Sequence, residues 1–299
     1  MFLGIEIGGT KLQLGLGRGD GVIAQLWRGK VDAAAGGEGI RQQILAAVPG
    51  LLKSARIERT QLAGIGVGFG GPTDDATQSV IKSHHIAGWD KFPLAEWLTN
   101  LLQLPTTICN DADVAGLAEA EFGAGKGLSP IFYITAGTGI GGGLIINGEI
   151  YRGVGQGAAE IGHVRPVYPL LSTPHDGILE TFATGSGIGE RGYSPFNGKA
   201  VAVAAANGDS AALAVLDEAA QALAEGICTV IKLLCPRRII IGGGVSLIGD
   251  ELLFDPIRRY VAERGFAAFA GLTDIVPAAL GEEVVIHGAL ALARKRFGG

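Results

Sequence analysis

The chain is expected to be α/β, made of two halves that each open on a β-meander, with a cleft between them. Three observations carry this expectation. A β-branched run at 106–108 stops at Asn110-Asp111 and passes directly into a helical pattern, with Val114, Leu117, Ala118 and Phe122 three and four residues apart. Two glycine-rich turns, Gly8-Gly9-Thr10-Lys11 and Gly137-Thr138-Gly139-Ile140-Gly141, each follow an apolar strand. Setting Gly9 over Gly137 superposes the two meanders, a weak internal duplication at an offset of 128 residues.

The totals fit that class. A length of 299 residues is comfortable for two domains, and 47% apolar residues suffice for large cores. The net charge is −5 and the Lys and Arg residues are scattered, which excludes the basic stripe of a nucleic-acid binder. The 50 glycines are not periodic, so they read as strand-end turns rather than a low-complexity tail. Cys109, Cys228 and Cys235 are too few and too scattered for a disulfide framework or a zinc site. No apolar stretch reaches the ~18 residues of a membrane span. No basic segment followed by an apolar block opens the chain, so a cytoplasmic protein without a membrane partner is expected.

Taken in order, strands are expected at 2–7, 12–16 and 22–27, joined by Gly8–Thr10 and 18–21. A helix at 38–55 should break or kink at Pro49-Gly50. A strand at 62–69 ends in Gly70-Gly71-Pro72, then come a helix at 93–102, a strand at 106–109 and a helix at 111–122. The second meander has strands at 131–135, 141–146 and 149–151, with Asn147-Gly148 as a hairpin turn. Helices follow at 177–190, 199–206 and 209–234, then a strand at 237–241 ending in Gly242-Gly243-Gly244. A helix at 249–263, a short strand near 275–276 and a helix at 284–296 complete the chain. The division expected is 1–115, with a last helix at about 284–299 packing back on it, against 116–283.

Asp111 stands where ligands bind in open α/β sheets, at the carboxyl end of a strand. Asn and Asp there are equally ordinary helix N-caps. The turns at 8–11, 137–141 and 242–244 present successive backbone N–H groups, which form anion-binding concavities. Thr10 and Thr138 add hydroxyls and Lys11 a charge, so the three together point to phosphate. Two lookalikes fail their context. The Gly137-x-Gly139-x-x-Gly142 pattern is followed by a strand and hairpin, and Gly125-Lys126 by Gly127 instead of Ser or Thr.

With these pieces placed, the chain resembles the ROK family of sugar kinases over essentially its whole length. Residues 4–11 resemble the family's first phosphate motif, Asn110-Asp111-Ala112 its catalytic motif and 137–143 its second phosphate motif. Glu160-Ile161-Gly162-His163 resembles its sugar signature, Leu179-Glu180 with Gly185–Gly187 the next sugar segment, and 241–244 its adenosine motif. The resemblance implies two ribonuclease-H-like, actin-like ATPase domains with a cleft between them. It implies an ATP-dependent hexose kinase acting first on glucose at the 6-hydroxyl. Asp111 would be the general base. Gly71, Asn110, Glu160, His163 and Glu180 would hold the sugar. Gly9, Thr10, Lys11, Gly137, Thr138, Gly139, Gly243 and Gly244 would hold ATP with Mg²⁺. A homodimer is common in the family.

Three departures qualify the resemblance. Many members carry CxCGxxGC after the histidine and bind zinc; here 164–178 has no cysteine. His163 and His175 cannot complete a four-ligand site, so no zinc is expected, and Pro166, Pro169 and Pro174 are left to hold that loop. Glu6 stands where aspartate is usual, still within reach of Mg²⁺ or its water shell, and this keeps fructose in play. His85 stands near the family's asparagine, as a sugar contact or an ordinary loop histidine. The alternatives are a fructose, mannose, allose or N-acetylhexosamine kinase, a polyphosphate-dependent glucokinase, or a non-catalytic sugar-binding protein. A sugar-sensing repressor would need a helix-turn-helix before the first phosphate motif, which begins here at Gly4.

Overall fold

A computed structural model describes residues 1–83, 86–166, 177–192 and 198–299. In chain order its elements are β1 (Phe2–Ile7), β2 (Lys11–Gly17), β3 (Ile23–Lys30), α1 (Gly36–Ala55), β4 (Gly64–Phe69), β5 (Thr73–Asp74), β6 (Ser79–Val80), α2 (Leu94–Leu102), β7 (Thr106–Asn110) and α3 (Asp111–Phe122). Then come β8 (Ile131–Ala136), β9 (Ile140–Ile146), β10 (Glu149–Ile150), α4 (Leu179–Ala183), α5 (Gly185–Gly192), α6 (Gly198–Ala206) and α7 (Ser210–Leu234). The chain ends with β11 (Arg238–Gly242), α8 (Asp255–Arg264), β12 (Asp274–Pro277) and α9 (Val284–Phe297). The fold is mixed α/β. It falls into two compact units, Met1–Gly123 with Gly148–Ala158 and Glu282–Gly299, and Ala124–Asn147 with Ala159–Gly281.

The first unit is built on a sheet of order β3-β2-β1-β4-β7. Its meander pairs are antiparallel, and β1, β4 and β7 run parallel. β1 and β4 are buried along their whole length, which is why they read as apolar runs rather than alternations. α9 lies directly on this sheet because glycines clear its path. A Cβ on Gly66 would stand 1.9 Å from the Ala289 carbonyl, and one on Gly288 1.9 Å from that of Val114 in α3. Glycines inside strands thus serve packing, beyond the strand-end role read from the sequence.

Two expectations change in this unit. α1 runs unbroken through Pro49. The carbonyl that Pro49 leaves without an N–H belongs to Leu45, which is 37% exposed, so water can take the missing bond. The small β5–β6 hairpin was not expected, because two-residue strands carry no period.

Within the second unit the strands pair in the order β9-β8-β11-β12, with β8 and β9 antiparallel and β8, β11 and β12 parallel. Phe132, Ile134, Ile239 and Ile241 form a core with Ala220, Leu223 and Ile227 of the 25-residue helix α7. The helix expected at 177–190 is two helices. Thr184 leaves the helical conformation, and its hydroxyl accepts the Gly187 N–H at 3.0 Å, capping the restart. The helix expected at 249–263 opens with one wide turn, Asp250–Phe254, before α8 begins next to Pro256. Among the described residues no single helix is long and apolar enough to cross a membrane.

Candidate functional site

In the first unit three parallel strands end level. The register pairs Ile7 with Phe69 and Phe69 with Asn110, so Gly8, Gly70 and Asp111 follow side by side. Asn110 is the N-cap of α3. Its Oδ1 accepts the N–H groups of Ala112 (2.9 Å) and Asp113 (3.4 Å), and its Nδ2 donates to the Gly71 carbonyl at 3.1 Å. Asp111 Oδ1 accepts the Ala112 N–H at 2.8 Å. Its Oδ2 lies against the glycine turn, since a Cβ on Gly70 would stand 3.5 Å from it. The cap and the strand-end carboxylate are therefore two different residues.

The first glycine turn is closed by the Gly8 N–H on the Lys11 carbonyl at 3.0 Å, with Thr10 exposed at its tip. Lys11 Nζ lies 3.1 Å from Glu6 Oε1 and donates to the Glu282 carbonyl at 3.0 Å. Glu6 is 5% exposed. Burial pushes its carboxyl up from 4.5 to about 7 against the opposing pull of Lys11, and Asp111 and Glu282 push the same way as burial. Gln13 donates to the same Glu282 carbonyl at 3.2 Å. Gln13 was missed from the sequence; its signal was a polar residue at an apolar position of β2. Glu6 Oε2 and Gln13 Oε1 are both buried without a hydrogen-bond partner among the described residues. Orphaned hard oxygens of this kind suit Mg²⁺ or its water shell.

The second unit carries the other glycine turns. The Gly137 N–H donates to the Gly139 carbonyl at 2.9 Å, and the Gly137 carbonyl accepts the Gly185 N–H at 2.9 Å. Thr138 is exposed. Glu180 Oε2 accepts the Ile140 N–H at 2.7 Å, and a Cβ on Gly139 would stand 2.9 Å from that oxygen. Glu180 is thus brought against the second glycine turn. At the end of β11, Gly243 has φ +83°, and a Cβ there would stand 2.5 Å from the Ala136 carbonyl. Only glycine lets this corner close on the end of β8. Around Gly244 the space is open. Glu160 and His163 flank a single helical turn, with Oε2 and Nδ1 4.0 Å apart and side chains 55% and 64% exposed. Both are therefore open to a ligand.

His85, His175, Pro169 and Pro174 lie outside the described residues. Among the described residues no three His, Cys, Asp or Glu side chains gather as metal ligands. Cys109 and Cys228 are buried and Cys235 half-buried, all as free thiols.

The family model described as the ROK family matches residues 2–296. The chain is 32% identical to the glucokinase of Halalkalibacterium halodurans, over 96% of this chain and 93% of that one. It is 30% identical to the N-acetylmannosamine kinase of Escherichia coli O157:H7, over 98% of each chain. Among solved structures, a ROK family glucokinase from Streptomyces griseus in complex with glucose and AMPPNP superposes with a TM-score of 0.82 at 31% identity, covering 98% of this chain and 99% of that one. The chain belongs to the ROK family.

Proposed function

We propose that this protein is an ATP-dependent hexose kinase that phosphorylates glucose at the 6-hydroxyl, with Asp111 as general base. One observation carries the mechanism: the Asp111 carboxylate stands at the level ends of three parallel strands, beside a glycine turn, in a chain that aligns with sugar kinases over nearly its whole length. Phosphoryl transfer leaves the protein mainly positioning and charge stabilisation to do. Asp111 takes the hydroxyl proton as the sugar oxygen attacks the γ-phosphorus. Asn110 holds the first turn of α3 and keeps one amide hydrogen for a sugar hydroxyl. The exposed Glu160 and His163 supply an acceptor and a donor, Glu180 a further acceptor, and the Gly71 backbone completes the sugar contacts. Backbone groups of Gly9, Gly137, Gly139, Gly243 and Gly244, with Thr10, Thr138 and Lys11, receive the nucleotide.

Mg²⁺ bound with ATP would neutralise charge on the phosphate oxygens, and Glu6 and Gln13 are the side chains that fit it. The same reading brings two ribonuclease-H-like domains, 1–115 with the last helix and 116–283, and a cleft where the substrates meet. It also brings a cytoplasmic homodimer. The N-acetylmannosamine kinase relative supports a second reading, an N-acetylhexosamine as acceptor.

The test is ADP release from MgATP across glucose, fructose, mannose and N-acetylmannosamine, with polyphosphate as a second donor. Turnover with ATP should be greatest on glucose. Asp111→Asn should lower kcat by about 10³-fold while glucose still raises the thermal midpoint. Near wild-type turnover in that variant would sink the assignment of the base.

A further inference from the structure

The first turn of α3 holds a second carboxylate, Asp113, two residues after Asp111. It is 2% exposed, and burying a charge is costly unless it is paired. Arg152, from the segment after β10, supplies the partner. Its Nη1 lies 2.5 Å from Asp113 Oδ2, with the two side chains 11% and 2% exposed. The Cys109 thiol donates to the same oxygen at 3.8 Å, and burial together with the Asp113 charge pushes its pKa up, so it stays a donor.

Neutralising Asp113 does not need the rest of what Arg152 does. Its Nη2 donates to the Thr73 carbonyl (2.9 Å) and the Thr73 hydroxyl (3.0 Å), and its Nε to Asp75 Oδ1 (3.0 Å). One rigid fork therefore joins the first turn of α3 to the β5–β6 hairpin. Two more bonds seat the Arg152 segment on that hairpin: the Asp75 N–H to the Gly155 carbonyl at 2.8 Å, and Gln156 Nε2 to Asp74 Oδ2 at 3.2 Å. Gly71, which receives the Asn110 amide, lies two residues before Thr73. Asn110 and Asp111 are thus gripped on one side through Gly71 and on the other through Asp113, and both grips run to the strand that Arg152 holds.

We propose that Arg152 is a positioning residue for the base: by holding Asp113 and Thr73 in one fork it fixes the first turn of α3 and the aim of the Asp111 carboxylate. This rests on the kinase reading with Asp111 as base. Removing the guanidinium would release that aim. It would also strip the buried Asp113 carboxylate of its guanidinium partner, two residues from Asp111, and a like charge raises a carboxyl's pKa.

The experiment compares wild type, Arg152→Met, Arg152→Lys and the double variant Arg152→Met/Asp113→Asn. The readouts are kcat, the two KM values, the pH profile of kcat/KM and the thermal midpoint. Arg152→Met should lower kcat by about 10- to 100-fold with KM for ATP within about twofold, as expected for a misaimed group. Its acid limb should move up by roughly half a pH unit or more. The double variant should bring the acid limb back while kcat stays low, because the charge is balanced and the fork still missing. Arg152→Lys should keep the acid limb and recover only part of kcat. A lower thermal midpoint with kcat and acid limb unchanged in Arg152→Met would make the cluster merely structural and overturn the proposal. If Arg152→Met fails to fold, wild-type kcat in Arg152→Lys overturns it and a reduced kcat at unchanged ATP KM supports it. A wild type silent on every sugar would bring down the kinase reading and this inference together; an active wild type with an equally active Arg152→Met brings down this inference alone.

Discussion

The two glycine turns that open the two meanders occupy matching places and handle charge in opposite ways. Both follow the first strand of an antiparallel pair that continues into parallel strands, β1 with β4 and β7, β8 with β11 and β12. At the offset of 128 residues Glu6 matches Ile134, Lys11 matches Gly139 and Gln13 matches Gly141. The first turn is thus charged from within, by the buried Glu6 paired with the part-exposed Lys11 and by a polar Gln13. The second has no charged side chain of its own and takes a carboxylate from outside, through Glu180 on the Ile140 N–H. One backbone plan serves twice, and only one copy carries the groups that suit a cation.

The largest expected effect compares the corners where β4 and β11 end. Gly243 has φ +83° and no room for a Cβ, which would meet the Ala136 carbonyl at 2.5 Å. At the matching Gly70 a Cβ would meet the Ile7 carbonyl at 3.2 Å. Gly243→Ala should cost about 3 kcal/mol or more, from left-handed strain plus overlap with backbone that cannot move aside. Gly70→Ala should cost about 1 kcal/mol or less, because a few tenths of an ångström relieve its contact. Denaturant unfolding of both variants measures the difference. Equal costs would mean that the two corners are interchangeable.

Such differences separate what could be read from the sequence from what could not. The strands and most helices were legible because they rest on local period: β1, β2, β8 and β9 lie close to where their apolar runs place them. Pro49 does not break α1, because a break there depends on which face of the helix meets water, and that is a tertiary fact. Thr184 misled because one hydroxyl can restart a helix without changing its apolar period. The strand-end glycines and Asp111 were visible as motifs. Gln13 and Arg152 were not, because a polar residue in an apolar strand and an arginine in a glycine-rich loop gain meaning only from the partners the fold brings to them. Gly66 and Gly288 were invisible for the same reason: their role is the close approach of α9.

The next effect in size is the pH dependence that Glu6 imposes and Ile134 cannot. Glu6 titrates near 4.5 when unfolded and near 7 when folded, so the folded state binds its proton more tightly. Its contribution to stability is full below pH about 4.5 and is lost as pH rises through about 7. At ~1.4 kcal/mol per pKa unit the loss is about 3 kcal/mol. Glu6→Gln should remove that part of the slope, seen as a flatter stability curve between those pH values in denaturant titrations. Added MgATP should offset the loss in wild type more than in Glu6→Gln, because the cation favours the ionised carboxylate. An unchanged slope in Glu6→Gln would place the ionisation elsewhere and dissolve the contrast with Ile134.

The smallest effect decides which substrate Glu180 serves. Its Oε2 is committed to the Ile140 N–H at 2.7 Å, next to Gly139. A glutamine there keeps an acceptor for that N–H, so the turn should hold, at a stability cost of about 1 kcal/mol for the lost charge assistance. The loss should fall instead on whatever the carboxylate's remaining capacity binds. If that is a sugar hydroxyl, Glu180→Gln raises KM for glucose by about tenfold, the weight of one charged hydrogen bond, and leaves KM for ATP within about twofold. A rise confined to ATP would show that the carboxylate works through the phosphate turn. The second turn would then depend on Glu180 for its charge as the first depends on Glu6 and Lys11, and the two units would differ in where the charge is stored rather than in whether they use it.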